Sequence, residues 1–304
     1  MTLDQAIEQA CGDVGIYPPK RTAFGKWINT DTLAGRSGKG DGRVIIKEHF
    51  LTAWNWQTGE KSTVNLRDGL SVKEQRAVAQ SVARSKAKAE KDAARAASTA
   101  EALIAASSLS THTYLAAKGF RDEQTMTVSA SVVRETVGDY IIPAGARIAI
   151  LIPARRGTKV TSAQLIWEDG TKKFLFGGEM GGASHRIASG VYTWLCEGYA
   201  TGLSLRSALK GLKVQATVLC CFSASNIVAI ARQVQGRAFV AADNDRPLEQ
   251  FGWTGAGEYY ARQSDLPYGI PPAVGDDFND MHQRDGIFAV QRVLTSVMSG
   301  RRAA

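Results

Sequence analysis

Residues 188–304 alternate between short apolar runs and amphipathic segments, and this alternation restricts the fold more than any other feature of the chain. VYTWL, VQATVLCCF and RAFVAA are typical of buried strands, whereas TGLSLRSALK and SNIVAIARQV between them have helical periodicity. Strands that alternate with helices form a parallel sheet covered by helices on both faces. We therefore predict a doubly wound α/β domain here, with a helix near residues 255–264 and a last helix closing the chain.

Acidic residues follow three of the predicted strands. Because sites in such sheets form beyond the carboxyl ends of the strands, we expect these carboxylates to lie close together. Clustered carboxylates bind hard divalent cations, of which Mg²⁺ is the usual one where phosphates are handled. Taken singly, each acid has an alternative role as a helix cap or turn former. The residues are Glu197 after VYTWLC, Asp243 and Asp245 after RAFVAA, and Asp277 and Asp280 in DDFND.

The first part of the chain has a different pattern. Residues 1–68 predict a short helix near residues 3–11 and then a small β-rich module with strands in GKWINT, RVIIKEHF and LTAWNWQTGEKSTV. The Gly-rich LAGRSGKGDG between two of these strands lacks the P-loop spacing, and we interpret it as a basic hairpin loop. Trp54 and Trp56 are expected in the core of the small sheet, the alternative being that they stack on bases.

Two further segments lie between this module and the α/β domain. Residues 69–108 are a predicted helical connector, because 72–107 are Ala-rich, charged and free of Gly and Pro. Large apolar residues are few there, so we expect a solvated helix. Its basic residues either contact a nucleic-acid backbone or form an ordinary charged helix face. Residues 109–187 predict a mixed α+β subdomain: a short helix in THTYLAAKGF, then antiparallel strands in DYIIPAG, RIAILIPA, SAQLIWEDG and KKFLFGG.

Composition limits the class of protein and its partners. Thirty-seven Lys and Arg against 29 Asp and Glu give a net charge of +8, which favours a polyanionic partner such as nucleic acid. No apolar stretch approaches the length of a membrane span and the N-terminus lacks an apolar signal region, so we expect a cytoplasmic protein without a membrane partner. No cysteine pair has zinc-ligand spacing, and we expect no zinc and buried thiols. The cysteines are Cys11, Cys196, Cys220 and Cys221.

The order strand–Glu–Gly, strand–Asp-x-Asp and a third acidic patch resembles the TOPRIM domain of bacterial-type primases, type IA and II topoisomerases and some nucleases. THTYLAAKGF, RIAILIPARRG and GTKKFLFGG resemble the catalytic core of bacterial-type primases. CEGYATGLSL and DFNDMHQRDG are similar to the version in primases of phages, plasmids and integrative elements. The resemblance covers most of residues 10–300 and is most specific from 112 to 286.

The resemblance implies a DNA primase that makes short RNA primers on single-stranded DNA from ribonucleoside triphosphates in the bacterial host cell. It assigns Glu197 to the metal site as an acid–base group, Asp243 and Asp245 as metal ligands, and Asp277, with Asp280 possible, as the third acidic motif. Mg²⁺ or Mn²⁺ is the implied cofactor. Basic residues in matching segments would face the template or the nucleotide, their alternative being a solvated strand face. They are Lys118, Arg147, Lys172 and Lys173.

Three departures qualify the resemblance. The zinc module that commonly precedes the primase core is missing as a cysteine pattern. Arg246 and Pro247 follow the Asp-x-Asp, and the usual glycine comes later, among Gly252, Gly255 and Gly257, which predicts a reshaped loop. The chain ends soon after the TOPRIM block, so we expect a replicative helicase to act in trans. A TOPRIM nuclease and a catalytically silent DNA-binding accessory protein are the alternative functions.

Overall fold

The structure is a computed structural model that describes residues 2–34, 38, 40–56, 58–66 and 72–300, apart from the side chains at positions 74, 75 and 250. Its contacts divide the chain into two compact units, Met1–Lys91 and Asp92–Ala304. The predicted division at 1–68, 69–108, 109–187 and 188–304 is finer, and its boundaries stay predictions. No helix in the described part of the chain combines the length and apolar character needed to cross a bilayer.

The first unit packs one helix on a four-stranded antiparallel sheet. Thr2 and Gln5 form a capping box at the start of the helix, which buries Ala6, Ile7 and Ala10 against the sheet. The strands follow the chain order 1-2-3-4. The elements are α1 (Leu3–Asp13), β1 (Trp27–Thr30), β2 (Gly42–Ile46), β3 (Phe50–Asn55) and β4 (Lys61–Asn65).

Two predictions for this unit need correction. The run 51–64 is not one strand: β3 and β4 are joined by a turn in which Gly59 has a positive φ of 77°. The tryptophans are not in the core, because alternation along β3 buries Leu51 and Ala53 and turns Trp54 to the other face, and Trp56 lies beyond the strand and is exposed. The predicted hairpin between β1 and β2 is present, although residues 35–37 and 39 of its loop lie outside the described residues.

The long helix is confirmed as α2 (Val72–Ala105). Most of its described side chains are exposed, as expected, but both ends contribute to hydrophobic cores. Val78 is buried in the core of the first unit. Ala96, Ala100 and Leu103 repeat at helical spacing and are buried in the second unit.

The second unit begins with a five-stranded antiparallel sheet in chain order. The expected strand at 139–145 is wrong: Asp139–Ile141 form a 3-10 turn, because Pro143 has no N–H to donate to a ladder and Gly145 has a positive φ of 77°. The elements are β5 (Ser108–Ser110), α3 (Thr113–Ala117), β6 (Thr125–Ser129), α4 (Ala130–Thr136), β7 (Ile148–Arg156), β8 (Lys159–Trp167) and β9 (Lys172–Phe174).

A second five-stranded sheet completes this unit and confirms the doubly wound α/β prediction. Its strand order is β10-β12-β11-β13-β14, with β10 antiparallel at the edge and the other four parallel. The strands are β10 (His185–Ala188), β11 (Tyr192–Cys196), β12 (Ala216–Cys220), β13 (Ala238–Ala241) and β14 (Tyr268–Gly269). All four cysteines of the chain are buried, as predicted.

Helices cover both faces of this sheet, and alternation along its strands explains why. Trp194 and Phe239 pack towards one face with the first and the last two of five helices, while Leu195 and Val240 pack towards the other face with the second and third. The predicted single last helix is two helices, because Gly286 between them has a positive φ of 78°. The helices are α5 (Tyr199–Gly211), α6 (Ala224–Ala231), α7 (Ala256–Gln263), α8 (Phe278–Asp285) and α9 (Ile287–Met298).

Candidate active site

The site lies at the carboxyl ends of the central parallel strands. β11 and β13 are neighbours, and Cys196 pairs with Ala241 at the last step of their register. Glu197 follows β11 at once, and Asp243 comes two residues after β13. The topology therefore brings together two carboxylates that are far apart in the sequence, as predicted.

Glu197 is a largely buried carboxylate with incomplete hydrogen bonding. Its Oε1 has no hydrogen-bond partner and is inaccessible to solvent. Burial raises its pKa to about 7, and the charges of Asp245 and Asp277 add to this effect. A hydrogen bond from the backbone N–H of Ala224 and the charge of Lys172 act in the opposite direction. At neutral pH this carboxyl group is thus balanced between its acid and its base form.

Asp243 is also a buried carboxylate with incomplete hydrogen bonding. Its Oδ1 is also buried without a hydrogen-bond partner. Burial is the largest cause that raises its pKa well above the ordinary value, followed by the negative charge of Glu197. Two buried carboxylate oxygens that lack partners are energetically costly unless a cation compensates them.

Asp245 is held by the start of α7. The backbone N–H of Gly257 donates to its Oδ2 at 2.8 Å. A side chain on Gly255 would overlap the backbone of Asp245, and one on Gly257 would overlap the backbone of Asp243. Gly255 and Gly257 therefore lie where the usual glycine was expected, although they come ten or more residues beyond the Asp-x-Asp. They allow α7 to pack directly against both aspartates.

Asn244 connects the Asp-x-Asp loop to the third acidic segment. Its backbone N–H donates to the carbonyl of Asp276 at 2.9 Å, and its carbonyl accepts from the N–H of Gly275 at 2.6 Å. Its side-chain amide donates to the carbonyl of Pro271 at 2.8 Å. These bonds fix the segment before α8 beside Asp243 and Asp245, which explains why the charge of Asp277 acts on both buried acids.

Asp277 and Asp280 form a capping box at the start of α8. Asp277 Oδ1 accepts from the N–H groups of Asn279 at 2.6 Å and Asp280 at 2.9 Å. Asp280 Oδ2 accepts from the N–H of Asp277 at 3.3 Å, and its Oδ1 pairs with Lys118 Nζ at 3.2 Å. Both oxygens of Asp280 are therefore engaged within the protein, whereas Asp277 keeps one oxygen clear of its capping bonds.

The predicted basic residues differ in their relation to the acids. Lys172, in β9, is close enough for its charge to lower the pKa of Glu197 and Asp243, and Lys118 pairs with Asp280. Lys173 is exposed and follows Lys172 in β9, so its side chain points to the opposite face of the strand. Arg147 is exposed at the start of β7, where its backbone N–H donates to Glu168. The structure therefore brings Lys172 and Lys118 to the acids, but not Lys173 and Arg147.

A divalent cation is the ligand that this donor set fits. In the part of the chain that the structure describes, no three His, Cys, Asp or Glu side chains form a ready-made metal cage. Mg²⁺ does not need one, since proteins commonly bind it through one or two carboxylates, with water and substrate phosphates as the remaining ligands. The unpartnered oxygens of Glu197 and Asp243 match this requirement.

Three contributors to the site were missed by the sequence interpretation. They are the backbone N–H of Ala224, the close packing of Gly257 and the amide of Asn244. Ser223 caps α6 three residues after β12 ends. A capping serine so soon after a strand signals a helix N-terminus at the strand end, from which the first contact could have been inferred. The other two depend on tertiary packing and have no local signal.

A family model of the Toprim domain matches residues 192–287, which contain Glu197, Asp243, Asp245, Asp277 and Asp280. Two solved structures from bacteriophage T7 are similar to part of the chain. One shows its lagging-strand DNA polymerase interacting with primase domains bound to an RNA/DNA hybrid and dTTP; it is 14% identical over 51% of this chain and 78% of that chain, with a TM-score of 0.37. The other is the primase fragment of its primase-helicase protein, 15% identical over 50% and 67%, with a TM-score of 0.37. By the family match and the strand-end acids, residues 192–287 form a Toprim domain.

Proposed function

We propose that this protein is a DNA primase, which joins ribonucleoside triphosphates into short RNA primers on single-stranded DNA. One observation carries the proposal: acids from the Toprim domain and Lys172 and Lys118 from the antiparallel subdomain meet at one place. Nucleotidyl transfer needs this combination, because a triphosphate requires both a cation held by carboxylates and basic side chains.

The chain's own residues have distinct tasks in this reaction. Glu197, with a pKa of about 7, is suited to accept the proton of an attacking 3′-hydroxyl near neutral pH. Asp243 and Asp245, with the unpartnered Oε1 of Glu197 beside them, would hold Mg²⁺ or Mn²⁺, and Asp277 would be a further carboxylate at the edge of the site. The bound cation supplies charge compensation for the triphosphate and the departing pyrophosphate.

The basic residues divide into two groups. Lys172 is placed to neutralise charge on the nucleotide, and Lys118 both pairs with Asp280 and tethers α3 to α8. Lys173 and Arg147 are exposed and suit contacts to the template backbone instead. A replicative helicase as a partner and a place in phage- or plasmid-type replication also belong to this proposal.

The antiparallel subdomain favours synthesis over a Toprim nuclease. A nuclease needs the acids alone, whereas β9 supplies a lysine to them and α3 is bound to α8 through Lys118 and Asn279. The segments THTYLAAKGF and GTKKFLFGG, which resemble the primase core, contain these two lysines.

The test is incubation of the protein with single-stranded DNA, labelled ribonucleotides and Mg²⁺, with synthesis and cleavage both recorded. We expect primers from the wild type and none from Asp243→Asn or Asp245→Ala. Asp243→Asn should not lower stability, because it replaces a buried carboxyl group whose Oδ1 has no hydrogen-bond partner. Mg²⁺ should also raise the melting temperature of the wild type more than that of Asp243→Asn. Cleavage without nucleotides would identify a nuclease, and neither activity would favour the silent accessory protein.

A further inference from the structure

The sheet of the first unit has one face that its core does not use. Val44, Ile46, Leu51 and Ala53 point to α1 and form the core. The opposite face carries three tryptophans. Trp27 and Trp56 are 45% and 41% exposed, and Trp54 is half-buried between them. Exposed aromatic clusters on a folded domain are typical of binding surfaces.

The three rings form one continuous platform. Ring centroids are 5.9 Å apart between Trp27 and Trp54, and 5.1 Å apart between Trp54 and Trp56. Register places two of the rings, because Trp54 pairs with Arg43 on one side and Lys61 on the other, and Trp27 pairs with Ile45 two residues along β2. Trp56 follows β3 and donates its backbone N–H to the carbonyl of Asp41 at 2.9 Å.

Cations lie over the same rings. Lys61 Nζ is 4.3 Å from the ring centroid of Trp54, and the Arg43 guanidinium is 5.4 Å from that of Trp56. Strands β1 to β4 contain no Asp or Glu, and the neighbouring acids Asp41 and Glu60 lie just before β2 and β4. An aromatic platform flanked by cations matches a ligand with flat rings and a negatively charged backbone.

We propose that this face, comprising Trp27, Trp54, Trp56, Arg43 and Lys61, binds single-stranded DNA by stacking unpaired bases on the exposed tryptophans. Arg43 and Lys61 contribute positive charge next to the rings, where the phosphates of the strand pass. Duplex DNA fits less well, because its bases are already stacked on each other. The site lies within residues 1–91, and binding there needs neither the acids of the Toprim domain nor nucleotides. The proposal can therefore be tested independently of primer synthesis.

The test measures the affinity of the full-length protein for a labelled oligothymidylate of about 16 nucleotides, the upper range for one small binding module. Fluorescence anisotropy is recorded in EDTA without nucleotides, so that catalysis does not contribute. The double variant Trp27→Ala/Trp56→Ala should bind at least about fivefold more weakly, the lower end of what stacking contributes for one base. The double variant with Phe at both positions should keep most of the affinity.

The matched control is Tyr17→Ala, which removes a 52% exposed aromatic ring from the same unit outside the strands of the platform. It should bind as the wild type does, and affinity for a duplex should be the same in all variants. If the double Ala variant bound oligothymidylate as tightly as the wild type, the proposal would be overturned, and a protein would be the better candidate for the ligand of this face. An equal loss in Tyr17→Ala, or tighter binding of oligouridylate than oligothymidylate, would also overturn it.

Discussion

Gly257 packs so closely on Asp243 that a methyl group on the glycine would overlap the aspartate's carbonyl oxygen. The same glycine donates its N–H to Asp245 Oδ2. One residue in the first turn of α7 thereby positions both acids of the Asp-x-Asp pair.

Gly257→Ala tests this relationship. Helix propensity alone predicts that alanine stabilises α7 by up to about 1 kcal/mol. We expect the opposite, a loss of about 1–3 kcal/mol from overpacking, together with loss of primer synthesis as the aspartates move. Urea denaturation and a synthesis assay measure the two effects. Gly12→Ala is the control, because Gly12 is in α1 and has no atom within 4 Å of an added Cβ. If Gly257→Ala were as stable and active as the wild type, the tight contact would have no role.

Alternation of apolar runs and helical segments allowed the doubly wound sheet and its strand-end acids to be predicted, because both depend on local patterns. β5, β6 and α4 were missed, since Ser108–Ser110 and Thr125–Ser129 are polar and lack an apolar run. The tryptophan face was also missed. Tryptophan is apolar enough for a core position; the register of β3 alone decides which face Trp54 occupies, and Trp56 lies beyond the strand. The contact between Gly257 and Asp243 is set by packing and has no sequence signal.

The adjacent residues Lys172 and Lys173 test whether the position of a positive charge matters for primer synthesis. Lys172 lowers the pKa of Glu197 and Asp243 through its charge, whereas Lys173 follows it in β9 and points to the opposite face of the strand. Lys172→Ala should reduce primer synthesis by roughly 10- to 100-fold, while Lys173→Ala should have a much smaller effect. Because Lys172 lowers the pKa of Glu197, its removal should also shift the rising limb of the pH–rate profile to higher pH. Equal effects of the two variants would show that only total charge matters.

Asp277 combines two roles that substitution can separate. Asp277→Ser keeps an oxygen that caps α8 but removes the charge, whereas Asp277→Ala removes both. We expect both variants to lose primer synthesis and only the alanine variant to lose stability, by about 1 kcal/mol. Denaturation and synthesis assays on the pair decide between the roles. Full synthesis by Asp277→Ser would make this residue a helix cap and nothing more.

His185 makes stability depend on pH. Burial in β10 lowers the pKa of this side chain to about 4, below the usual 6.5; the hydrogen bond with the carbonyl of Pro153 opposes this shift, and the charge of Arg155 adds to it. The folded state then binds a proton less readily than the unfolded chain, so stability is lost as the pH falls from about 6.5 towards 4. His185→Gln should remove a contribution of the order of 2 kcal/mol to this acid destabilisation. Unfolding free energies at pH 7.5 and 4.5 measure it, and a constant difference between variant and wild type would contradict the assignment.

Glu197→Gln tests the central claim most directly, because it keeps the shape of the side chain and removes only its charge and basicity. Its Oε1 is buried without a partner, so the wild-type carboxylate has no structural hydrogen bond at that oxygen to lose. The measurement is primer synthesis on single-stranded DNA with Mg²⁺, alongside DNA affinity by anisotropy. We predict that synthesis falls by at least about 100-fold while affinity for the DNA is unchanged. Synthesis at the wild-type rate, or a parallel loss of DNA binding, would contradict a catalytic role for the acids at these strand ends.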